Sequence, residues 1–299
     1  MEKILLMSDS ACDIPRDLEE ELGIRIINLP ITYEGKTLED RVDFTSEEFY
    51  QMLNTCQELP TTAGVTPIRF LEEFWKASQE GYTHILYVSI NGKGSNTLSN
   101  CYLAIEELFQ SRPELADKLT IEAIDGKAYS LGYGYPLINA AKMLKEGATF
   151  QQLKDYLVKA IDENQIFTTF FTLKFAKRSG RLGSTAAFVG DLLGLRPIVS
   201  FPDGENVVLE KVRGDKGVIH RIAEIYRDKG EGRDLSCSTG TVSYTHLAGT
   251  ASDLISTAPK GVRAASGPVK AAAQPGRLHS GRERILPAIS GEASRRFIS

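Results

Sequence analysis

The chain has 299 residues, enough for two α/β domains, and its 42% hydrophobic and 25% charged content excludes a disordered or fibrous chain. No apolar run nears the ~20 residues that a membrane helix needs, and MEKILLMSDS turns polar too soon for a signal peptide, so the expectation is a cytoplasmic protein with no integral membrane segment. The net charge of −4 divides into an acidic body, 27 Lys+Arg against 35 Asp+Glu over residues 1–233, and a basic remainder, 8 against 4, which argues against a nucleic-acid partner.

Lys3 to Ser8 reads as a first strand, followed by Asp9-Ser10-Ala11-Cys12-Asp13 and a short helix with Pro15 in its first turn and Gly23 beyond its last. Ile24 to Tyr33 reads as one further strand, closed by Glu34-Gly35. Thr45-Ser46-Glu47-Glu48 has the form of a capping box, flanked by Phe44 and Phe49 as a hydrophobic staple. Pro60 to Pro67 is a hydroxyl-rich loop in which Thr66 caps, and Pro67 starts, a helix carrying Phe70, Leu71, Phe74 and Ala77 and ending at Gly81.

The stretch His84 to Cys101 joins a β-branched strand run to a helix whose apolar positions begin at Leu98 and Cys101. Between them, Asn91 to Thr97 is a loop of Gly, Ser, Asn and Thr. Backbone N–H groups at a helix start, beside hydroxyls, suit an anionic head group. The same residues also make an ordinary βα turn with Ser95 as the cap, and the two readings are compatible. Leu119 to Ile124 is the next strand, and a helix through Leu137, Ala141 and Leu144 stops at Gly147. This alternation predicts a largely parallel sheet covered on both faces, with Asp9-Ser10, Thr61-Thr62 and Ser95 gathered at the carboxyl ends of its strands.

Thr149 opens another capped helix, with Gln152 third, expected to bridge to a second domain. There Ile166 to Leu173 is a strand, Ser184 to Leu193 a helix, Pro197 to Phe201 and Val207 to Val212 a pair of strands around Asp203-Gly204, and Lys216 to Lys229 a helix. From Asp234 the periodicity is lost, as in a flexible extension or a truncated or frame-shifted domain end. The expected division is 1–148, 149–233 and an atypical 234–299.

Catalytic and cofactor motifs are missing. Gly35-Lys36-Thr37 has Pro30 where a phosphate loop needs glycine, and Gly92-Lys93-Gly94 lacks the last glycine of a dinucleotide fingerprint. Ser95 sits in no nucleophile elbow, and His84, His220, His246 and His279 supply no evident base. Asp9, Asp13, Asp40, Asp43 and Asp125 are explained mostly by caps and turns, and the four cysteines form no C-x-x-C pair. The residues read as a binding site with no metal, no cofactor and no catalyst. A transferase acting on a phosphorylated small molecule and a protein-interaction domain remain the alternatives.

Several motifs together resemble the DegV family of bacterial fatty-acid-binding proteins, over about residues 3 to 220. Asp9 to Pro15 is similar to the family's D-S-T/S-A/C-D-L/I-P, Arg41 to Thr45 to its G-V-D-L-T/S, and Pro60-Thr61-Thr62 with Thr66-Pro67 to its P-T-T-S-Q-P-S/T-P. Gly92 to Thr97 falls on S-K-x-S-G-T, Ser179 to Leu182 on G-G-R-I/L, Arg196-Pro197-Ile198 on K-P-I, and Glu210 to Gly214 on E-K-V-R-G/T. The resemblance implies two α/β domains, the first Rossmann-like and the second smaller, with one long-chain fatty acid enclosed in an apolar tunnel between them. It implies that Thr62 and Ser95 hold the carboxylate, and Thr61, Asn96, Thr97, Asp9, Ser10 and Arg181 stand as supporting residues. It further implies a carrier, not itself an enzyme, that presents the acid to a separate fatty-acid kinase catalytic subunit. Within the second loop, Asn91-Gly92, Gly94 and Asn96 replace the family's Ser-Ser, Leu and Gly. In the first, Ala63-Gly64-Val65 replaces Ser-Gln-Pro, and Ala271-Ala272-Ala273 stands where the family has a histidine.

Overall fold

A computed structural model describes residues 2–170, 179–181, 194–230, 236–238 and 263–265. In chain order the elements are β1 (Ile4–Asp9), α1 (Arg16–Leu22), β2 (Arg25–Ile27), β3 (Pro30–Tyr33), β4 (Lys36–Glu39), α2 (Ser46–Thr55), β5 (Thr61–Thr62), α3 (Pro67–Gln79), β6 (His84–Ser89), α4 (Thr97–Ser111), β7 (Thr120–Asp125), α5 (Leu131–Lys145) and α6 (Phe150–Glu163). There follow β8 (Thr168–Thr169), β9 (Leu195–Ser200), β10 (Val207–Arg213), α7 (Asp215–Gly230), β11 (Ser236–Ser238) and β12 (Arg263–Ala265). The chain groups into two compact units, Met1–Ile222 and Ala223–Ser299.

The first unit is built on a parallel sheet in the order β2-β1-β6-β7, with Ser8 opposite Val88 and Ser89 opposite Asp125. Successive side chains leave opposite faces of each strand. Leu6, Leu86 and Val88 thus pack with Leu137 of α5 and Leu153 and Leu157 of α6. Leu5, Met7, Ile85 and Tyr87 pack on the other face with Phe70 and Phe74 of α3 and Cys101 and Ala104 of α4. Helices on both faces explain why β1 and β6 read as unbroken apolar runs, and crossover connections bring the loops after β1, β6 and β7 to the same edge.

The stretch expected to be one strand from Ile24 to Tyr33 is two. β2 runs parallel beside β1, whereas β3 leaves for a separate antiparallel sheet ordered β4-β3-β5. The break falls at Leu29-Pro30: Pro30 has no N–H to donate to a ladder, and the Leu29 N–H is taken by the Ser10 hydroxyl at 3.1 Å. Both capping boxes form, Thr45 with Glu48 on α2 and Thr149 with Gln152 on α6, and Phe44 stacks on Phe49 with centroids 5.2 Å apart.

A further antiparallel sheet, β10-β9-β8, carries Val208 opposite Val199 and Thr168 opposite Val199. A tight turn at Pro202–Gly204 joins β9 to β10, with Gly204 at φ 77°. The expected helix over 184–193 and the end of the expected strand, 171–173, lie outside the described residues, as does most of 234–299. In the unit Ala223–Ser299, β11 and β12 pair in parallel, Cys237 opposite Ala264. The architecture is of the α/β class.

Candidate functional site

β1 ends at Asp9, which is fully buried, and the surroundings of its carboxylate explain the sharpness of this edge. One oxygen accepts the Tyr87 hydroxyl at 2.9 Å and the Ile90 N–H at 2.8 Å. The other accepts the Tyr133 hydroxyl at 2.7 Å and the Ala11 N–H at 3.3 Å. Burial pushes the carboxyl up from its ordinary range, and the four donors pull the other way. Tyr87 and Tyr133, pushed well up by the same burial, remain neutral donors. Asp9 thereby ties β1 to β6 and α5. Ser10 is buried as well, accepting the Leu29 N–H and bonding to the Asp40 carboxylate. Both residues are thus committed to protein partners and position the loops from beneath.

The loop after β4 and α2 reaches the same edge because β5 pairs with β3, Ile31 opposite Thr62 and Thr32 opposite Thr61, which leaves both threonines exposed. Its next residues seat on the start of α4. The Val65 N–H donates to the Thr97 hydroxyl at 3.2 Å, and the Asn100 amide donates to the Val65 carbonyl at 2.8 Å. Gly64 permits this approach, since a Cβ there would lie 3.0 Å from the Thr97 nitrogen. Thr66 caps α3 through the Arg69 N–H at 3.3 Å, as its position predicts.

Thr97 is therefore the residue that brings the two hydroxyl loops together, and it is fully buried. Half-buried Ser95 accepts the Thr97 N–H at 3.2 Å, and its hydroxyl lies 2.9 Å from that of Thr97. Ser95 accordingly performs the capping role that Asn96 does not: Asn96 precedes α4 with no side-chain cap and is exposed.

Asn91, which the sequence marks only as a departure from the family pattern, is buried at the other end of the second loop. Its amide donates to the Gly204 carbonyl at 2.8 Å and to the Tyr129 hydroxyl at 3.3 Å, and its oxygen accepts the Lys93 N–H at 3.1 Å. Gly92 donates to Asp125 at 3.0 Å, fixing the loop to the end of β7. Exposed Arg181 reaches the same loop, its Nε 3.4 Å from the Gly94 carbonyl, while its own carbonyl accepts from Asn206. The site offers hydroxyls, an amide-lined turn and a guanidinium nearby, groups of the chemical type that donate hydrogen bonds to anions. Among the described residues no three His, Cys, Asp or Glu side chains are grouped to hold a metal ion, and no helix is long and apolar enough to cross a membrane.

Comparison with known proteins identifies the family of the chain. A DegV domain-containing protein of Caldanaerobacter subterraneus subsp. tengcongensis is 33% identical over 230 residues, covering 77% of this chain and 79% of that protein. One from Clostridium perfringens is 30% identical over 224 residues, 75% and 77% of the two chains. Among solved structures, a Thermus thermophilus DegV family protein described for its fatty acid binding has a TM-score of 0.74 at 26% identity, covering 88% of this chain and 92% of its own. A fatty acid binding DegV family protein from Streptococcus agalactiae has a TM-score of 0.73 at 25% identity, covering 89% and 92%. The family model described as "Uncharacterised protein, DegV family" matches residues 3–269, nearly the whole chain, so the chain belongs to the DegV family.

Proposed function

We propose that this chain binds one long-chain fatty acid, with its carboxylate on the hydroxyls of Thr62 and Ser95 and its acyl chain in an apolar tunnel between α/β domains at 1–148 and 149–233. It then serves in the cytoplasm as a non-catalytic carrier that presents the acid to a separate fatty-acid kinase. The observation that carries the reading is the junction of the two hydroxyl loops, Val65 on Thr97, in a chain whose solved relatives are described as binding fatty acids. The energetics divide between tail and head. Burying the chain contributes about 0.8 kcal/mol per methylene, so the tail sets affinity. Each charge-assisted hydrogen bond contributes roughly 1.5–3 kcal/mol, which offsets the lost hydration of the carboxylate. Arg181 adds attraction from the rim, and Thr61, Asn96 and Thr97 shape the two loops.

Native mass spectrometry of the purified protein tests the reading first. A co-purified fatty acid supports it, whereas an empty protein that transfers a group from a nucleotide overturns it. Thr62→Val and Ser95→Ala are each expected to weaken fatty-acid binding about tenfold, the loss of one such bond. Ser95→Ala also lowers the melting temperature, because Ser95 bonds the Thr97 N–H. Thr66→Val, a change at a cap, alters stability and leaves binding near the parent's. The carrier role is tested by mixing the loaded protein with a fatty-acid kinase and ATP: acyl phosphate forms only when both proteins are present.

A further inference from the structure

The head-group loop is not held by its own sheet alone. Buried Asn91 spends its oxygen on the Lys93 N–H, which turns the loop toward Ser95, and its amide nitrogen on the Gly204 carbonyl, in the turn between β9 and β10. That turn is shaped to receive it. Gly204 has φ 77°, where side chains are strained, and a Cβ there would lie 2.6 Å from the Asn91 oxygen. Tyr129 completes the joint: its hydroxyl accepts from Asn91 at 3.3 Å, and its ring meets Phe201 edge-on with centroids 5.3 Å apart. The tyrosine hydroxyl fills the space that a Cβ on Gly94 would occupy, so a glycine at 94 and a tyrosine at 129 fit each other. Three segments, Asn91 to Ser95, the loop after β7 and the Pro202–Gly204 turn, thus interlock around one buried amide.

Carboxylate recognition needs donors from two loops in fixed relation, to within about 0.5 Å, whereas a neutral hydroxyl head group is satisfied by one flexible bond. We infer that Asn91 and Tyr129 are positioning residues for the head group. They lock the Ser95 loop to the β9–β10 turn and thereby set the preference for a carboxylate over a neutral head group. This rests on the fatty-acid reading of the site.

Titration calorimetry with hexadecanoic acid and with 1-hexadecanol, on the full chain, tests it. In Asn91→Ala the affinity for the acid is expected to fall about tenfold while that for the alcohol changes less than about twofold, the loss of one buried hydrogen bond acting on the carboxylate alone. Tyr129→Phe keeps the ring on Phe201 and removes only the hydroxyl, and is expected to move the same ratio by about threefold. A residue that merely stabilised the fold would lower the melting temperature and reduce both affinities together, and that result overturns the inference while leaving the fatty-acid reading in place. A parent protein that binds neither compound defeats the fatty-acid reading, and the inference with it. Should Asn91→Ala fail to fold, the Tyr129→Phe ratio decides.

Discussion

Asp9 shows how one buried side chain can organise the edge of a sheet. Each of its oxygens meets one tyrosine hydroxyl and one backbone N–H, so Asp9→Ala leaves two buried hydroxyls and two partly buried N–H groups without their acceptor. The expected cost is about 3 kcal/mol, read from urea unfolding, since each of the two buried hydroxyls left without an acceptor costs about 1–3 kcal/mol. The pH dependence has a definite sign. Because burial raises this carboxyl above its ordinary value of 3.8, the folded state holds the proton more tightly than the unfolded chain does. Its contribution is full below pH 3.8 and declines as pH rises through the raised value. The parent's margin over Asp9→Ala in thermal melts should therefore be greatest near pH 3.5 and shrink toward pH 7, and a margin that grows with pH would contradict the assignment. Burial likewise pushes the Cys12 and Cys101 thiols up, which keeps them protonated and unreactive. Iodoacetamide at pH 8, followed by peptide mass spectrometry, should modify these two only after unfolding.

At the scale of elements, the two capping boxes and the loop junction make different demands. Thr45→Ala removes the hydroxyl that accepts the Glu48 N–H at 3.2 Å and should lower stability by about 1 kcal/mol in a thermal melt, with no change in ligand affinity. Gly64→Ala should do the reverse. Its new Cβ, 3.0 Å from the Thr97 nitrogen and 3.1 Å from the Thr97 hydroxyl, can be accommodated only by moving the first loop off α4. A displacement of a few tenths of an ångström shifts Thr62 relative to Ser95, and fatty-acid affinity is expected to fall about threefold by calorimetry. Unchanged affinity with a lowered melting temperature would show that the junction is only packing. The capping boxes were legible because their partners are three residues apart. The junction was not, because Val65 and Thr97 are separated by 32 positions and nothing in either residue names the other.

Across the first compact unit as a whole, the contacts of the loops after β6 and β7 with the β9–β10 turn differ greatly in weight. Lys93 pairs with Glu205 at 2.7 Å and Lys127 with Asp203 at 3.7 Å, but these partners stand largely in solvent, where such a pair contributes about 0–1 kcal/mol. The Asn91 amide is buried, where an unmatched group costs about 1–3 kcal/mol. Lys93→Met is accordingly expected to change unfolding free energy by less than about 0.5 kcal/mol. Gly204→Ala, which meets both an unfavourable φ and the Asn91 oxygen, should cost about 2 kcal/mol. Equal effects of the two substitutions in urea unfolding would mean that the ion pairs, not the buried amide, hold the joint.

Local chemistry was written in the residues. The parallel sheet follows from apolar runs too long to face water on either side, the helix starts from Thr45, Thr66 and Thr149, and the hydroxyl loops from their composition. These depend on interactions spanning at most four residues, or on the sheer burial of a strand, and so survive in a linear pattern. Three things depended on the tertiary structure. The division of residues 24–33 between two sheets was decided when the Ser10 hydroxyl claimed the Leu29 N–H. The burial of Asp9 and Thr97 and the protein partners of their side chains were decided by tyrosines and a backbone N–H far away in the chain. The role of Asn91 was decided by a glycine 113 positions on. Polar side chains carry the same donors and acceptors whether exposed or buried, so sequence can identify them as capable of binding, and only the folded chain determines whether protein or ligand receives the bond.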